Sequence, residues 1–230
     1  MPHQYISIDA AANLMGISTT KLKAMAVQGE IAYKERSGKF VFLQDDVDFW
    51  LSEHVITGDT RNLGRSSAKR LSELCPRKCV CCDLPGTSQS SIIKALTDLA
   101  DGSGLLFDPE DFRREIMRRE ELGTTNLGCG IAIPHTLVRE EGFFASSFIC
   151  LARLARPSYF NSAPDGSKTE LLILSCCLDS TEHLNILMQI SDICRLTRFM
   201  DDVRAANDDD ELYEALVKAE KEVERALRRQ

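Results

Sequence analysis

The sequence predicts a C-terminal α/β domain, a mixed sheet with helices on both faces, preceded by a small N-terminal module of short helices with a hairpin wing. Three observations support this. From residue 80 onward, apolar runs of strand length alternate with amphipathic helical stretches, the interleaving of a sheet covered on both sides. Within the first 53 residues, two helical patterns, a two-strand pattern and a closing helix follow one another. Between these blocks the composition shifts: residues 54–79 carry six basic and two acidic side chains and include Thr57-Gly58-Asp59-Thr60 and Gly64-Arg65-Ser66-Ser67. The expected organisation is a module over 1–53, a basic linker over 54–79 and a larger domain over 80–230.

The 230 residues are 43% hydrophobic and 27% charged, with a net charge of −7. No uncharged apolar run approaches the roughly 20 residues of a membrane span, and the N-terminus has no basic segment followed by an apolar one. A cytoplasmic protein without membrane insertion is expected, its nine cysteines present as thiols. The charge is unevenly divided, with net −2 over 1–53, +4 over 54–79 and −9 over 80–230. A chain whose whole surface is a nucleic-acid footprint is excluded by this, but a local basic surface is not.

In the first block, residues 8–15 read as a short helix with Ile8, Ala11, Ala12, Leu14 and Met15 on one side, ended by Gly16. Ser18 or Thr19 can cap a second helix with Leu22, Met25 and Ala26 inward, closed by Gly29. Residues 31–33 and 39–43 flank Ser37-Gly38 as a hairpin, and residues 45–51 form a last helix burying Val47, Trp50 and Leu51. Ala11-Ala12-Asn13-Leu14-Met15-Gly16-Ile17-Ser18, Gly29-Glu30-Ile31, Gly38-Lys39-Phe40-Val41-Phe42 and the closing Asp45-Asp46-Val47-Asp48-Phe49-Trp50-Leu51 resemble excisionase and MerR-like winged helix-turn-helix domains. The resemblance implies that Thr19, Thr20, Lys21 and Lys23 face DNA bases and phosphates, with Lys34, Arg36 and Lys39 on the wing touching the backbone. The second helix carries two lysines where such domains usually carry several arginines, so low nonspecific affinity is expected. Protein docking or dimerisation is the competing use of the scaffold. The linker's Arg61, Arg65, Lys69, Arg70, Arg77 and Lys78 could supply further positive charge or lie in solvent.

In the second block, residues 80–84, 131–134, 145–152 and 171–178 read as strands. Residues 88–101, a segment opened by Asp108-Pro109-Glu110 and running to about Glu121, and residues 181–195 read as helices. Asp208 with Glu211 opens the last helix in the manner of a capping box, and its acidic face reads as solvated. The chemically loaded segment is Arg119-Glu120-Glu121-Leu122-Gly123-Thr124-Thr125-Asn126-Leu127-Gly128-Cys129-Gly130-Ile131-Ala132-Ile133-Pro134-His135. Its glycines and threonines, Gly123, Thr124, Thr125, Gly128 and Gly130, offer a backbone that can approach an anion. Pro134 forces Ile133 to be extended, so the strand should end with the His135 imidazole at the sheet's mouth. A neutral imidazole there, near an arginine, suits receipt of a phosphoryl group.

This segment closely resembles the active-site signature of type-2 enzyme IIA domains of the bacterial phosphotransferase system, the fructose/mannitol family that includes the nitrogen-regulatory branch. The resemblance covers about residues 80–225 and takes in Asp179-Ser180-Thr181-Glu182-His183-Leu184 and Asp208-Asp209-Asp210-Glu211-Leu212-Tyr213. It implies that His135 is phosphorylated, that His183 lies close to it and that Arg119 holds the phosphoryl oxygens. Asn126 stands where a glycine is usual, and Cys129 where a polar residue is common. Taken from the residues alone, Arg119 could instead pair with Glu115 at the surface, and His183 could be a helix-start histidine without chemistry.

Cys75, Cys79, Cys81 and Cys82 invite a metal reading. Their spacing contains no CxxC pair, and Cys81 and Cys82 should point to opposite faces of a strand, so buried thiols and no metal site are expected. The expected function is a regulatory phosphocarrier of nitrogen-regulatory type. It would take its phosphoryl group from an HPr-like protein, ultimately from phosphoenolpyruvate, need no cofactor besides the covalent phosphate, and carry a DNA-binding N-terminal domain. A carrier serving a sugar permease and a non-catalytic interaction module are the alternatives. A homodimer remains open.

Overall fold

The computed structural model describes residues 5–15, 17–36, 38–43, 46–47, 50, 69–136, 142–178 and 180–229. It divides into two compact units, 1–68 and 69–230.

In the first unit, β1 (Tyr5–Ser7) leads into α1 (Ile8–Leu14) and α2 (Thr19–Gln28), followed by β2 (Lys34–Arg36) and β3 (Lys39–Leu43). Ser18 caps α2 by accepting the Lys21 amide at 3.2 Å, Leu22, Met25 and Ala26 are buried, and Gly29 closes the helix at φ +79°. The three strands form an antiparallel sheet in the order β1-β3-β2. Two features differ from the sequence reading. The first wing strand is 34–36, not 31–33, because Ile31 is drawn into the core, and β1 pairs with β3 from a three-residue segment too short to show a periodic signal. Asp46, Val47 and Trp50 are helical and Val47 is buried, while the rest of the expected 45–51 helix and Gly16 lie outside the described residues.

The second unit begins earlier than the expected boundary at residue 80. Residues 69–79 are not linker: α3 (Leu71–Leu74) and a 3-10 turn (Arg77–Cys79) precede β4 (Val80–Leu84). They dock on the last helix, α8 (Asp209–Leu227). The Ser72 amide and hydroxyl donate to the two Glu220 carboxylate oxygens at 2.9 and 2.6 Å, and Tyr213 donates to the Ser72 carbonyl at 2.9 Å. Arg70 pairs with Glu224 at 2.9 Å, and Arg77 with Asp210 and Glu214 at 2.9 and 2.8 Å while lying 3.7 Å over the Tyr213 ring. Part of the basic segment and the acidic face of α8 are therefore two sides of one interface.

After β4 come α4 (Gln89–Asp101), α5 (Pro109–Leu122), β5 (Asn126–Gly128), β6 (Ile131–Ala132), β7 (Phe148–Ser158), β8 (Thr169–Cys176), α6 (Ser180–Leu196), α7 (Phe199–Ala205) and α8. Asp108 caps α5 with proline in its first turn, and Asp208 caps α8 by accepting the Glu211 amide at 2.8 Å. The mixed sheet runs β4-β7-β8-β6-β5, with β4/β7 and β6/β8 parallel and β7/β8 and β5/β6 antiparallel. Alternation assigns its faces. Phe148, Cys150, Ala152 and Leu154 of β7 join Leu172, Leu174 and Cys176 of β8 in one core with Ile92, Ile93 and Leu96 of α4 and Phe112 and Ile116 of α5. The opposite face carries Ile149, Leu151, Leu171 and Ile173, all buried. The strand expected over 145–152 starts three residues later because the Ala145 amide donates to Leu105, and it runs on to pair Ser158 with Thr169.

Arg153 breaks the apolar alternation of β7. Its guanidinium donates to the Cys82 carbonyl of β4 at 3.0 Å and to Val203 and Ala206 at the C-terminal end of α7 at 2.9 and 2.6 Å, satisfying helix-end carbonyls and tying α7 to the sheet. Cys81 packs toward the α4/α5 core and Cys82 toward the other face, its thiol on the Ala206 carbonyl. Among the described residues there is no group of three or more metal-ligating side chains, and no helix is long and apolar enough to cross a membrane.

The β5–β6 hairpin turns through Gly128, Cys129 and Gly130 at φ +81°, +53° and +85°, the left-handed backbone that tight hairpin turns require. A Cβ on Gly128 would sit 3.0 Å from the Asp165 carboxyl carbon, which is where the turn is clamped. Asp165 accepts the Cys129 amide at 2.7 Å and the Ser167 amide at 3.0 Å, and these donors hold its pKa down to about 2.

Two outcomes follow. Arg153→Met leaves helix-end carbonyls without a donor and should lower the stability of the second unit by about 3 kcal/mol in urea denaturation of the full chain. Because the Asp165 pKa is depressed in the folded chain, its clamp is fully present above the ordinary aspartate value of about 4 and lost as pH falls further. The Cys129 amide proton shift should therefore titrate with a midpoint of about 2; a midpoint near 4 would show an unclamped turn.

Candidate functional site

His135 lies three residues beyond β6, where the strand still runs beside β8. Its backbone bridges Ser175 in parallel, the Ser175 amide donates to Pro134 at 3.0 Å, and on the other side Ile133 donates to the Thr125 carbonyl at 3.0 Å. Pro134 offers no amide and restricts Ile133 to extended backbone, so the chain leaves the sheet here held on one side through the Pro134 carbonyl and on the other through the Ile133 amide. The half-buried His135 ring sits where the sequence places it, at the end of a strand.

Its two nitrogens meet different partners. Nδ1 lies 2.8 Å from the Ile133 carbonyl, which can only accept, so Nδ1 carries the proton in the neutral ring. Nε2 therefore holds the lone pair, and it accepts from Arg119 Nε at 3.2 Å. Arg119 projects from the last turn of α5 and also donates to the Gly123 carbonyl at 3.0 Å. It is 3% exposed and so lies in the interior and not at the surface, while the neighbouring Arg118 lies 3.6 Å from Glu115. Burial lowers the Arg119 pKa and the neighbouring Glu120 carboxylate opposes the shift.

His183, in the first turn of α6, is buried at 3% exposure with its ring centroid 4.6 Å from that of His135. The two rings meet because His135 and Ser175 occupy adjacent strand ends on the sheet face that α6 covers. Ser175 Oγ is 3.0 Å from His183 Nδ1. The structure thus brings together the three residues singled out for catalysis, Arg119, His135 and His183.

The five residues expected to cradle phosphate do not act as one loop. Gly123 borders the site through its carbonyl to Arg119, while the Thr124 hydroxyl accepts the Asn126 amide at 3.0 Å. Thr125 is buried and its amide and hydroxyl are both turned onto Glu120. Gly128 and Gly130 belong to the hairpin turn at the opposite end of β6 from His135, about 15 Å away at strand rise, and the Cys129 and Gly130 amides go to Asp165 and Ser167. These glycines serve the turn. Asn126, at its start, accepts the Gly128 amide at 3.0 Å and donates to Thr169 at 2.8 Å, joining the hairpin to β8.

Glu120 is the residue the sequence reading passed over. It receives the Thr125 hydroxyl and Asn161 Nδ2, the latter at 3.0 Å, and so ties the end of α5 to the approach to β5. Burial raises its pKa, while Thr125, Asn161 and Arg119 pull the other way. Being adjacent to Arg119 is its only sequence signal, and charged helix ends are too common for that to single it out.

In the first unit, Thr20, Lys21 and Lys23 are exposed on α2 and Thr19 is half-buried. The register places Lys34, Arg36 and Lys39 on one face of the sheet with Tyr5, because Lys34 pairs with Val41, Arg36 with Lys39 and Tyr5 with Leu43. Lys34 and Arg36 lie 5.1 and 4.3 Å over the Tyr5 ring. Lys23 lies 5.2 Å over Phe40, whose side chain is on the other face. The helix and wing cations are therefore divided between two sides of the sheet.

Comparison with known proteins bears on the second unit. The chain is 30% identical over 137 residues to the nitrogen regulatory protein of Pseudomonas aeruginosa, covering 59% of this chain and 86% of that one. It is 32% identical over 138 residues to that of Bradyrhizobium diazoefficiens, covering 58% and 87%. It is also 31% identical over 156 residues to a 2-O-alpha-mannosyl-D-glycerate-specific EIIABC component of Escherichia coli, where the match covers 64% of this chain but 22% of that larger protein. The fold matches the nitrogen regulatory protein IIA-Ntr of Neisseria meningitidis with a TM-score of 0.56 at 24% identity, over 63% of this chain and 97% of that one. Mannitol IIA of Escherichia coli matches with a TM-score of 0.53 at 18% identity, over 61% and 97%. The family described as "Phosphoenolpyruvate-dependent sugar phosphotransferase system, EIIA 2" matches residues 73–219, the unit that carries Arg119, His135 and His183, and the chain belongs to that family.

Proposed function

We propose that this protein is a regulatory phosphocarrier of the nitrogen-regulatory type, taking a phosphoryl group on His135 Nε2 from the phosphohistidine of an HPr-like protein. The observation that carries the reading is the Ile133 carbonyl on His135 Nδ1, which leaves the lone pair on Nε2 beside a buried guanidinium. In transfer, that lone pair forms the new N–P bond as the donor's N–P bond breaks, and the bonding electrons return to the donor imidazole, which leaves neutral with a proton on its other nitrogen. His135 keeps its Nδ1 proton on Ile133. Arg119 Nε–H, which met the lone pair, then faces the transferred group, where a guanidinium suits the phosphoryl oxygens. The regulatory assignment draws on the two nitrogen regulatory relatives; phosphate delivery to a sugar permease is the competing role.

We further propose that the first unit is a winged helix-turn-helix that binds DNA. Lys34, Arg36 and Lys39 support this, sharing a sheet face that carries no carboxylate among the described residues; Glu35 points to the other side. Arg70 and Arg77 are engaged by α8, so the charge for DNA contact is assigned to this unit's own cations.

Incubation with phosphoenolpyruvate, enzyme I and HPr should yield an acid-labile phosphohistidine that His135→Ala abolishes. Arg119→Lys, which loses the planar fork, should slow transfer about 100-fold. Failure of the wild type to be labelled by cognate partners sinks the carrier reading. In gel-shift titrations at low salt, replacing Lys34, Arg36 and Lys39 together by alanine should flatten the salt dependence of DNA binding by a log–log slope of about 3. No binding by the full chain overturns the DNA reading.

A further inference from the structure

We infer that Ser175 is a positioning residue that gives His183 the tautomer opposite to that of His135, so that a proton donor, His183 Nε2–H, is carried on the ring whose centroid lies 4.6 Å from that of the nucleophilic imidazole. The consequence for catalysis rests on the phosphocarrier reading; the tautomer itself does not.

Ser175 is buried on β8, and its backbone amide already holds Pro134, one residue before His135. Its hydroxyl meets two groups, His183 Nδ1 at 3.0 Å and Cys177 Sγ at 3.2 Å. The hydroxyl has one proton to give. An imidazole nitrogen is a strong acceptor and a thiol sulfur a weak one, so the Ser175 proton goes to Nδ1 and the Cys177 S–H donates to the oxygen. With Nδ1 accepting, the neutral His183 ring carries its proton on Nε2. The reverse order would have Nδ1–H donating to Ser175, spend the hydroxyl proton on sulfur, and leave a lone pair on Nε2.

The two imidazoles are thus set apart by what touches their Nδ1 atoms. Ile133 offers His135 an acceptor, so Nε2 of His135 holds a lone pair suited to attack phosphorus. Ser175 offers His183 a donor, so Nε2 of His183 holds a proton suited to a phosphoryl oxygen. With ring centroids 4.6 Å apart, the second imidazole is the immediate neighbour of the one that would bear the phosphoryl group.

The test is long-range proton–nitrogen correlation NMR of the full chain with labelled histidines at about pH 8, where imidazoles are neutral. The wild type should show His183 protonated at Nε2 and His135 at Nδ1; His183 protonated at Nδ1 overturns the inference without recourse to any variant. Ser175→Ala keeps the backbone bond to Pro134 but loses the hydroxyl. It should convert His183 to a mixture of tautomers and slow phosphoryl transfer from phospho-HPr about tenfold or more. Ser175→Thr, which restores the hydroxyl, should recover both. An alanine variant with an unchanged His183 tautomer also overturns the inference. Absence of labelling in the wild type would instead remove the carrier reading, leaving the tautomer assignment to stand or fall on the NMR result.

Discussion

The contact on which the site depends is the 2.8 Å hydrogen bond between His135 Nδ1 and the Ile133 carbonyl. A neutral imidazole has one proton, and a carbonyl can only accept, so this bond decides which nitrogen has the lone pair. The bond needs the Ile133 carbonyl fixed, and three constraints fix it. Pro134 restricts Ile133 to extended backbone, the Ile133 amide is held by Thr125, and the Pro134 carbonyl is held by Ser175. The hairpin clamp at Asp165 and the Glu120 network act further out, keeping β5 alongside β6 so that Thr125 remains in place.

Two-sided burial of the sheet explains why Arg119 and His183 converge on that ring. Helices α4 and α5 cover one face and bring Arg119 to the site from the end of α5. On the opposite face lies the row of side chains that includes Ser175, which bonds His183 of α6. In each ring the partner of Nδ1 then bears on the proton's position. The carbonyl on His135 and the hydroxyl on His183 make two chemically identical side chains unlike each other.

Much of this was legible in the chain. The caps at Ser18, Asp108 and Asp208, the left-handed Gly29, the apolar alternation and the segment ending in Pro134-His135 each depend on nearest neighbours, and each appears as expected. What was misread depends on partners distant in sequence. The glycines at 128 and 130 resembled an anion cradle, because a hairpin turn and a phosphate loop demand the same backbone freedom; Asp165 and Ser167, more than 30 residues on, claim the amides of that turn. Arg70 and Arg77 resembled a solvated linker until the acidic face of α8, more than 130 residues away, took them up. Ser175 gave no signal inside an apolar strand, since its role depends on two groups that only folding brings near.

By itself, the sequence determined most of the longer elements, the C-terminal α/β class and the place of the His135 imidazole at a strand end, because propensity, periodicity and proline's missing amide act over a few residues. Only the tertiary structure decided which glycines border the site, that residues 69–79 belong to the second unit, and which nitrogen of His135 is available. Those outcomes are set by pairing across strands and between helices, and a proton's position on an imidazole is determined by the atom 3 Å away, whatever its place in the chain.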